Sequence, residues 1–260
     1  MTRPDYPVQA PDPKMPPTPS SATRERGCRF PDNHGTREGG PKRVSFTQTR
    51  HTTTMHPRRD PPKLILASRS PRRRELLAGA GYQFEVRFPR ETAECSRSSG
   101  EEPAELVARL ARQKAADVAG QVTSGLILGC DTVAECDGEV LGKAADAEHA
   151  RRMLQTLRGR EHRVFSGLCL WEKPGGRPVV RVAVTTLRMD PLTDAQINEY
   201  LAAGAWKGKA GAFGYQDRLG WVHVIEGSES NVVGLPMELL GEMLAKHQEA
   251  APPARRPGEA

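Results

Sequence analysis

Four groups of residues in this 260-residue chain have the types and spacing to do chemistry. The first is the segment SRSPRR, Ser68 to Arg73, directly after the apolar run KLILA. A strand, a loop of small residues and a helix N-terminus together present unpaired N–H groups and the positive end of a dipole, which suits a phosphate. Arg72 and Arg73 add guanidinium forks that match phosphate oxygens. A capped helix with a solvated basic first turn would read the same, but it leaves three arginines opposing the dipole, a cost that an anion would relieve. The second group is LILGCDTV, an apolar stretch read as a strand ending in Asp131. In open α/β sheets ligands sit beyond the carboxyl ends of strands, and a carboxylate there can take a proton from an attacking water or hold a divalent cation. An aspartate that only closes a turn has the same pattern.

The third group is three lysines, Lys114, Lys143 and Lys209. A triphosphate needs positive charge along its length, and lysine supplies compact point charges; any one of them is equally a solvated surface group. The fourth is GAFGYQ and EGSESNVVGLP, where glycines 211, 214, 227 and 234 lie beside Gln216, Ser228 and Asn231. These are loops that line a cleft, or plain glycine-rich turns. All seven histidines can be left out of such a site. Neither a GxxxxGK[ST] loop nor a G-x-S-x-G elbow occurs, so a clamp on phosphates is favoured over covalent chemistry.

These groups need elements to hold them. KLILA reads as a buried strand. Ser70 and Pro71 then open a helix through RRRELLAGA, at N-cap and N1, stopped by Gly81. YQFEVRF alternates as a strand does. PAELVARLARQKAADVA is apolar at three- and four-residue steps, the clearest helix of the chain. LILGCDTVAEC and EVLG flank Asp137-Gly138, a hairpin turn. DAEHARRMLQTLRG is a helix ended by Gly159, and HRVFSGLCLWE and RPVVRVAVTTLRM are strands joined through Pro-Gly-Gly. TDAQINEYLAAG is a helix capped by Thr193, GWVHVIEG a strand, and PMELLGEMLAKHQ the closing helix. Strands and helices interleave, which makes the fold class α/β with a sheet covered by helices.

Composition divides the chain. Residues 1–62 hold 12 of the 22 prolines and 11 Lys/Arg against 6 Asp/Glu, so nearly all of the net +6 charge lies there. The body is close to neutral, and the sequence gives no basic surface for nucleic acid. The same stretch has no periodic apolar pattern and is read as a disordered Pro/Arg-rich tail; a transit peptide, or a natural start at Met55, are competing origins. The expected division is a tail over 1–62, a body over 63–246 and a second disordered tail over 247–260. Five cysteines without a C-x-x-C pair argue against a zinc site or disulfide framework and for a reducing compartment, the cytoplasm. No apolar run is long enough for a membrane span.

Four segments, LILASRSPRRRELL, LILGCDTVAECDGEVLGK, KAGAFGYQ and IEGSESNVVGLP, resemble in order and spacing the signature segments of the Maf family of nucleotide pyrophosphatases. The resemblance covers residues 64 to about 245. It implies a Maf/ITPase-like, two-lobed α/β fold with an elongated mixed sheet and a central active-site cleft. It also implies hydrolysis of dTTP and UTP at the α-phosphate with a divalent metal, Mg²⁺ or Mn²⁺. By position, Asp131 matches the proton-accepting aspartate and also a metal ligand, with Glu94 as the second acidic residue at the metal. Arg72, Thr132 and Gln216 match the residues that set substrate choice in the dTTP/UTP branch, and Ser68, Arg73, Lys114, Lys143 and Lys209 match polar and phosphate-handling positions. A Gln amide can donate and accept at the edge of uracil or thymine. The chain departs from the family pattern at Cys130, Ala144, Gly208 and Asp217, the last standing where a glycine is usual. The expected partner is a nucleoside triphosphate, with a homodimer allowed and neither nucleic acid nor membrane. Two alternatives stay open: a house-cleaning pyrophosphatase for modified nucleotides such as 7-methyl-GTP, and a non-catalytic regulator of cell division.

Overall fold

The computed structural model describes residues 62–90, 100–217 and 219–250. Almost all of the expected N-terminal tail, and Glu94, lie outside the described residues. One mixed sheet of seven strands runs in the order β2-β1-β3-β5-β6-β7, with β4 paired to the far end of β3. β1 (Leu64–Ala67) lies parallel to both β2 (Phe84–Arg87) and β3 (Gly125–Cys136). From β3 onward the pairing is antiparallel, through β5 (Glu161–Lys173), β6 (Val179–Met189) and β7 (Val222–Glu226).

β3 is the axis. Its first half pairs with β1, from Leu64 opposite Leu126 to Ala67 opposite Gly129, and its last three residues pair with β4 (Glu139–Leu141). Apolar clusters form on both of its faces, and two of them share the face away from α2 (Pro103–Ala119). One gathers β1, the start of β3, α1 (Pro71–Gly79) and α6 (Met237–Ala250) around Leu66, Leu77, Leu128 and Leu240. The other gathers the end of β3, β6, α3 (Ala147–Leu157) and α4 (Asp194–Ala202) around Leu154, Leu187 and Ile197. The two-lobed arrangement follows from this division of one sheet between two cores.

Local chemistry accounts for the elements. Asp137 and Gly138 take φ of 50° and 84°, the left-handed pair that a two-residue hairpin demands. Thr193 caps α4 with Gln196 in a capping box, and Glu102 and Glu105 do the same for α2 (Pro103–Ala119). α2 lies across the other face of β3 and β5, and two glycines let it approach. A Cβ on Gly129 would stand 2.2 Å from the Ala111 carbonyl oxygen, and one on Gly167 would stand 2.2 Å from that of Val107. The closing helix α6 runs to Ala250, four residues past the expected end of the body, because the 237–250 segment stays helix-forming until Pro252 approaches. No helix among the described residues is long and apolar enough to cross a membrane.

Candidate active site

The cleft opens along β3 between its pairing with β1 and its pairing with β4. β1 stops opposite Gly129 and β4 ends, at Leu141, opposite Ala134, so among the described residues one edge of β3 has no strand partner between them. Asp131 and Thr132 fall in that gap and are the only two residues of β3 that are not buried. The sequence placed Asp131 at a strand end; it sits instead in the middle of a twelve-residue strand. The strand that ends beside it is β1, so the carboxylate still lies beyond a carboxyl end, that of its neighbour.

The cleft has a volume of about 320 Å³. Ser68, Arg72, Arg73, Lys114, Asp131, Thr132, Lys143, Lys209 and Gln216 all line it, whereas of the glycine-rich loops' other nominated residues only Gly234 does, and Ser228 and Asn231 do not. Among the described residues seven Lys or Arg side chains line it, Arg69 and Lys207 being the two the sequence missed, against one lining carboxylate, Asp131. The signal for Lys207 was its spacing: it is two residues from Lys209 in WKGK. Such a surplus suits a ligand with several negative charges.

Asp131 is served by α2. Lys114, a residue of that helix with a side chain only 6% exposed, donates from Nζ to Asp131 Oδ1 at 2.6 Å. The close approach permitted by Gly129 and Gly167 makes that reach possible, since Gly167 is paired directly with Asp131. The pair engages Oδ1 and, among the described residues, leaves Oδ2 for a water or a cation.

Arg73 behaves differently from the expectation of a phosphate ligand. It is buried, and its guanidinium donates to Gly234 O (2.7 Å), Cys130 O (2.7 Å), Ser68 Oγ (3.2 Å) and Thr132 Oγ1 (3.0 Å). With five N–H donors in all, at most one is left for an anion. Arg73 is the clamp that joins β3, the loop after β1 and the turn at Gly234. Ser68 is buried within that clamp. Thr132 Oγ1 is also 2.8 Å from Ser166 Oγ, a fully buried hydroxyl on β5 that nothing in the sequence singled out. Ser70 occupies the N-cap of α1, as read from the sequence, but its side chain makes no capping bond. So the basic first turn of α1 is only partly an anion site: one of its arginines is satisfied by protein carbonyls.

Arg72 is placed differently. It is half-buried, donates to Gly208 O at 2.7 Å, and faces the cleft. Burial, and then the neighbouring Arg73 charge, lower its pKa from the ordinary arginine value, a cost that a bound anion would offset. Lys143 and Ala210 bridge the two rims, and Gly211 N donates to Leu141 O and Gly142 O. Lys209 is ion-paired with Asp217. Gln216 is exposed on a single 3-10 turn, Tyr215–Asp217, at the mouth.

The family model described as Maf-like protein matches residues 63–247. The chain belongs to the Maf family. The relatives of this Maf chain include proteins named dTTP/UTP pyrophosphatase. One from Rhodopirellula baltica is 52% identical over 74% of this chain and 85% of its own length. One from Anaeromyxobacter sp. is 46% identical over 71% and 89%, and one from Ruminiclostridium cellulolyticum 40% identical over 72% and 96%. A solved HAM1 protein from Coxiella burnetii superposes with a TM-score of 0.40 at 15% identity, over 71% of this chain and 99% of that one.

Proposed function

We propose that this Maf chain is a nucleoside-triphosphate pyrophosphatase that hydrolyses dTTP and UTP to the monophosphate and pyrophosphate. The observation that carries the reading is Asp131, among the described residues the one carboxylate lining a cleft that seven cations share. The relatives named dTTP/UTP pyrophosphatase supply the substrate. Asp131 takes the proton of a water that attacks the α-phosphorus in line with the departing pyrophosphate. Lys114 aims that carboxylate, being hydrogen-bonded to its other oxygen. Arg72, Lys143 and Lys207 face the phosphates and neutralise the charge that builds as pyrophosphate leaves.

A divalent metal fits this donor set. Mg²⁺ or Mn²⁺ is held by one or two carboxylates together with substrate phosphates, and the Asp131 carboxylate stands at the charged centre of the cleft. Glu94, the second expected ligand, lies outside the described residues. When bound, the metal would polarise the phosphoryl oxygens and offset charge on pyrophosphate.

A reducing compartment, the cytosol, fits the three described cysteines, Cys130, Cys136 and Cys169, which are buried as free thiols. A pyrophosphate-release assay over dTTP, UTP, CTP, GTP, ATP and 7-methyl-GTP tests the proposal. Turnover of dTTP and UTP well above the purines is expected; a preference for 7-methyl-GTP, or no release from any of them, would overturn it.

A further inference from the structure

Gln216 sits on a turn of only three residues and its own side chain is exposed, so something else must hold it. Both neighbours do so: Tyr215 Oη donates to the exposed Glu229 Oε1 at 2.9 Å, and Asp217 ties the turn to the buried core. Asp217 Oδ2 accepts a hydrogen bond from Tyr200 Oη at 2.9 Å and is ion-paired with Lys209 Nζ. Its backbone N–H donates to Gly214 O at 3.1 Å. Tyr200 is a buried residue of α4, anchored in the core of the second lobe. Burial first, and then its bond to Asp217, raise its pKa, so the hydroxyl stays a donor. The Lys209 ammonium also lies 5.9 Å from the centre of the Tyr200 ring. The loop is shaped around this cluster: a Cβ on Gly214 would stand 2.4 Å from Lys209 Nζ and 2.6 Å from Asp217 Oδ2.

We propose that Asp217 is a positioning residue for nucleobase selection, fixing the Gln216 carboxamide by tying its turn to Tyr200 and Lys209. The inference rests on the cleft being a dTTP/UTP site. A glutamine on an untethered turn would lose its freedom only on binding, and that ordering would be charged against affinity for every base it meets. A tethered one presents its donor and acceptor at a set depth and rejects bases whose edges do not match. The arrangement also assigns the ends of the cleft. Lys209 is already neutralised by a carboxylate, which would repel a phosphate, so the base lies at the Asp217 end and the phosphates lie toward Asp131.

The experiment compares wild type, Asp217→Asn, Tyr200→Phe, Gln216→Ala and the double variant Asp217→Asn/Gln216→Ala in steady-state pyrophosphate release from dTTP, UTP and GTP. Asp217→Asn keeps the shape and removes the charge that holds Lys209; Tyr200→Phe removes one hydroxyl. Both should lower kcat/KM for dTTP and UTP by about tenfold, the worth of one well-made hydrogen bond. The loss should fall mainly on KM, and the margin over GTP should narrow. The double variant should be within about twofold of Gln216→Ala, since both changes act through one side chain. Equal losses for all three nucleotides, an unchanged margin in either folded variant, or additive losses in the double variant would overturn the proposal. If Asp217→Asn fails to fold, Tyr200→Phe alone decides. A wild type that releases no pyrophosphate from dTTP or UTP overturns the proposed function itself, and this inference with it. A wild type that prefers them while Asp217→Asn keeps the preference overturns only the inference.

Discussion

The two ends of the cleft are built by opposite means. At the Asp131 end, both working side chains stand on regular elements, Asp131 on β3 and Lys114 on α2, and their approach is set by backbone packing at Gly129 and Gly167. At the Gln216 end, the selecting side chain stands on an irregular loop, and its approach is set by side-chain ties from Asp217 to Tyr200 and Lys209. Packing of elements is stiff and tolerates little change of volume. Side-chain ties can be retuned by one substitution without touching a core. The chemistry is therefore placed on the part of the molecule that cannot vary cheaply, and the choice of base on the part that can.

Substitution at each end should break different properties. The largest expected effect is on the stiff end. Gly167→Ala puts a methyl 2.2 Å from the Val107 carbonyl oxygen and 2.5 Å from its carbon, both backbone atoms of α2. Displacing a helix backbone should cost about 3 kcal/mol or more, a fall in Tm of roughly 6–12 °C for a domain of this size. Lys114 moves with α2, so kcat should drop while the ranking of nucleotides stays. A thermal melt and the nucleotide panel together check this, and a Tm within a degree of wild type would contradict the account of close approach.

A comparable effect is expected beneath the junction of the two ends, where the buried His162 ring packs edge-on against Phe213 at 5.3 Å. Burial lowers its pKa from 6.5 to about 4, although the Arg160 carbonyl and Glu135 favour the charged ring; its nitrogens make no well-formed hydrogen bond among the described residues. The folded pKa lies below the unfolded one, so the unfolded chain binds the extra proton between those two values. This histidine should therefore cost nothing above about pH 6.5, and stability should be lost progressively as pH falls toward 4, by about 3 kcal/mol in all. Denaturant melts from pH 7 to pH 4 should show a smaller loss in His162→Leu than in wild type; parallel curves would show that the ring does not titrate as described.

The smallest effect on stability, and the cleanest on selectivity, belongs to Gln216→Ala. Tm should stay within about 1 °C, because an exposed side chain away from the core contributes little. The preference for dTTP and UTP over GTP should fall by about tenfold, the loss of one base hydrogen bond. A uniform drop for all nucleotides would move Gln216 to the phosphates.

The stiff end was also the more legible one in the sequence. A long apolar strand carrying Asp131, a helix with clear periodicity and a Pro-opened turn are local patterns that locate the elements, and the family resemblance then joined Asp131, Lys114 and Arg72 in one site. What they could not show was direction. Arg73 and Arg72 are adjacent and chemically alike, yet one turns into a cage of two carbonyls and two hydroxyls, from Gly234, Cys130, Ser68 and Thr132, and the other faces the cleft. Ser166 is invisible for the same reason: it matters because β5 pairs with β3 in a register that sets it against Thr132. At the loop end, the glycine-rich pattern only put Gln216 beside a turn and its role came from the resemblance, and the tie from Asp217 to Tyr200 joins a turn to a helix 17 residues earlier. No periodicity carries a contact of that kind.

The central claim is that Asp131 takes the proton of the attacking water. Asp131→Asn keeps the side chain's shape and its place beside Lys114 but cannot accept that proton. Pyrophosphate release from dTTP, measured at saturating nucleotide, should fall by about 10²–10⁴ in kcat, the usual worth of a general base, with nucleotide affinity retained. A variant that keeps more than about half of wild-type turnover, where a loss of that size is due, would contradict the account.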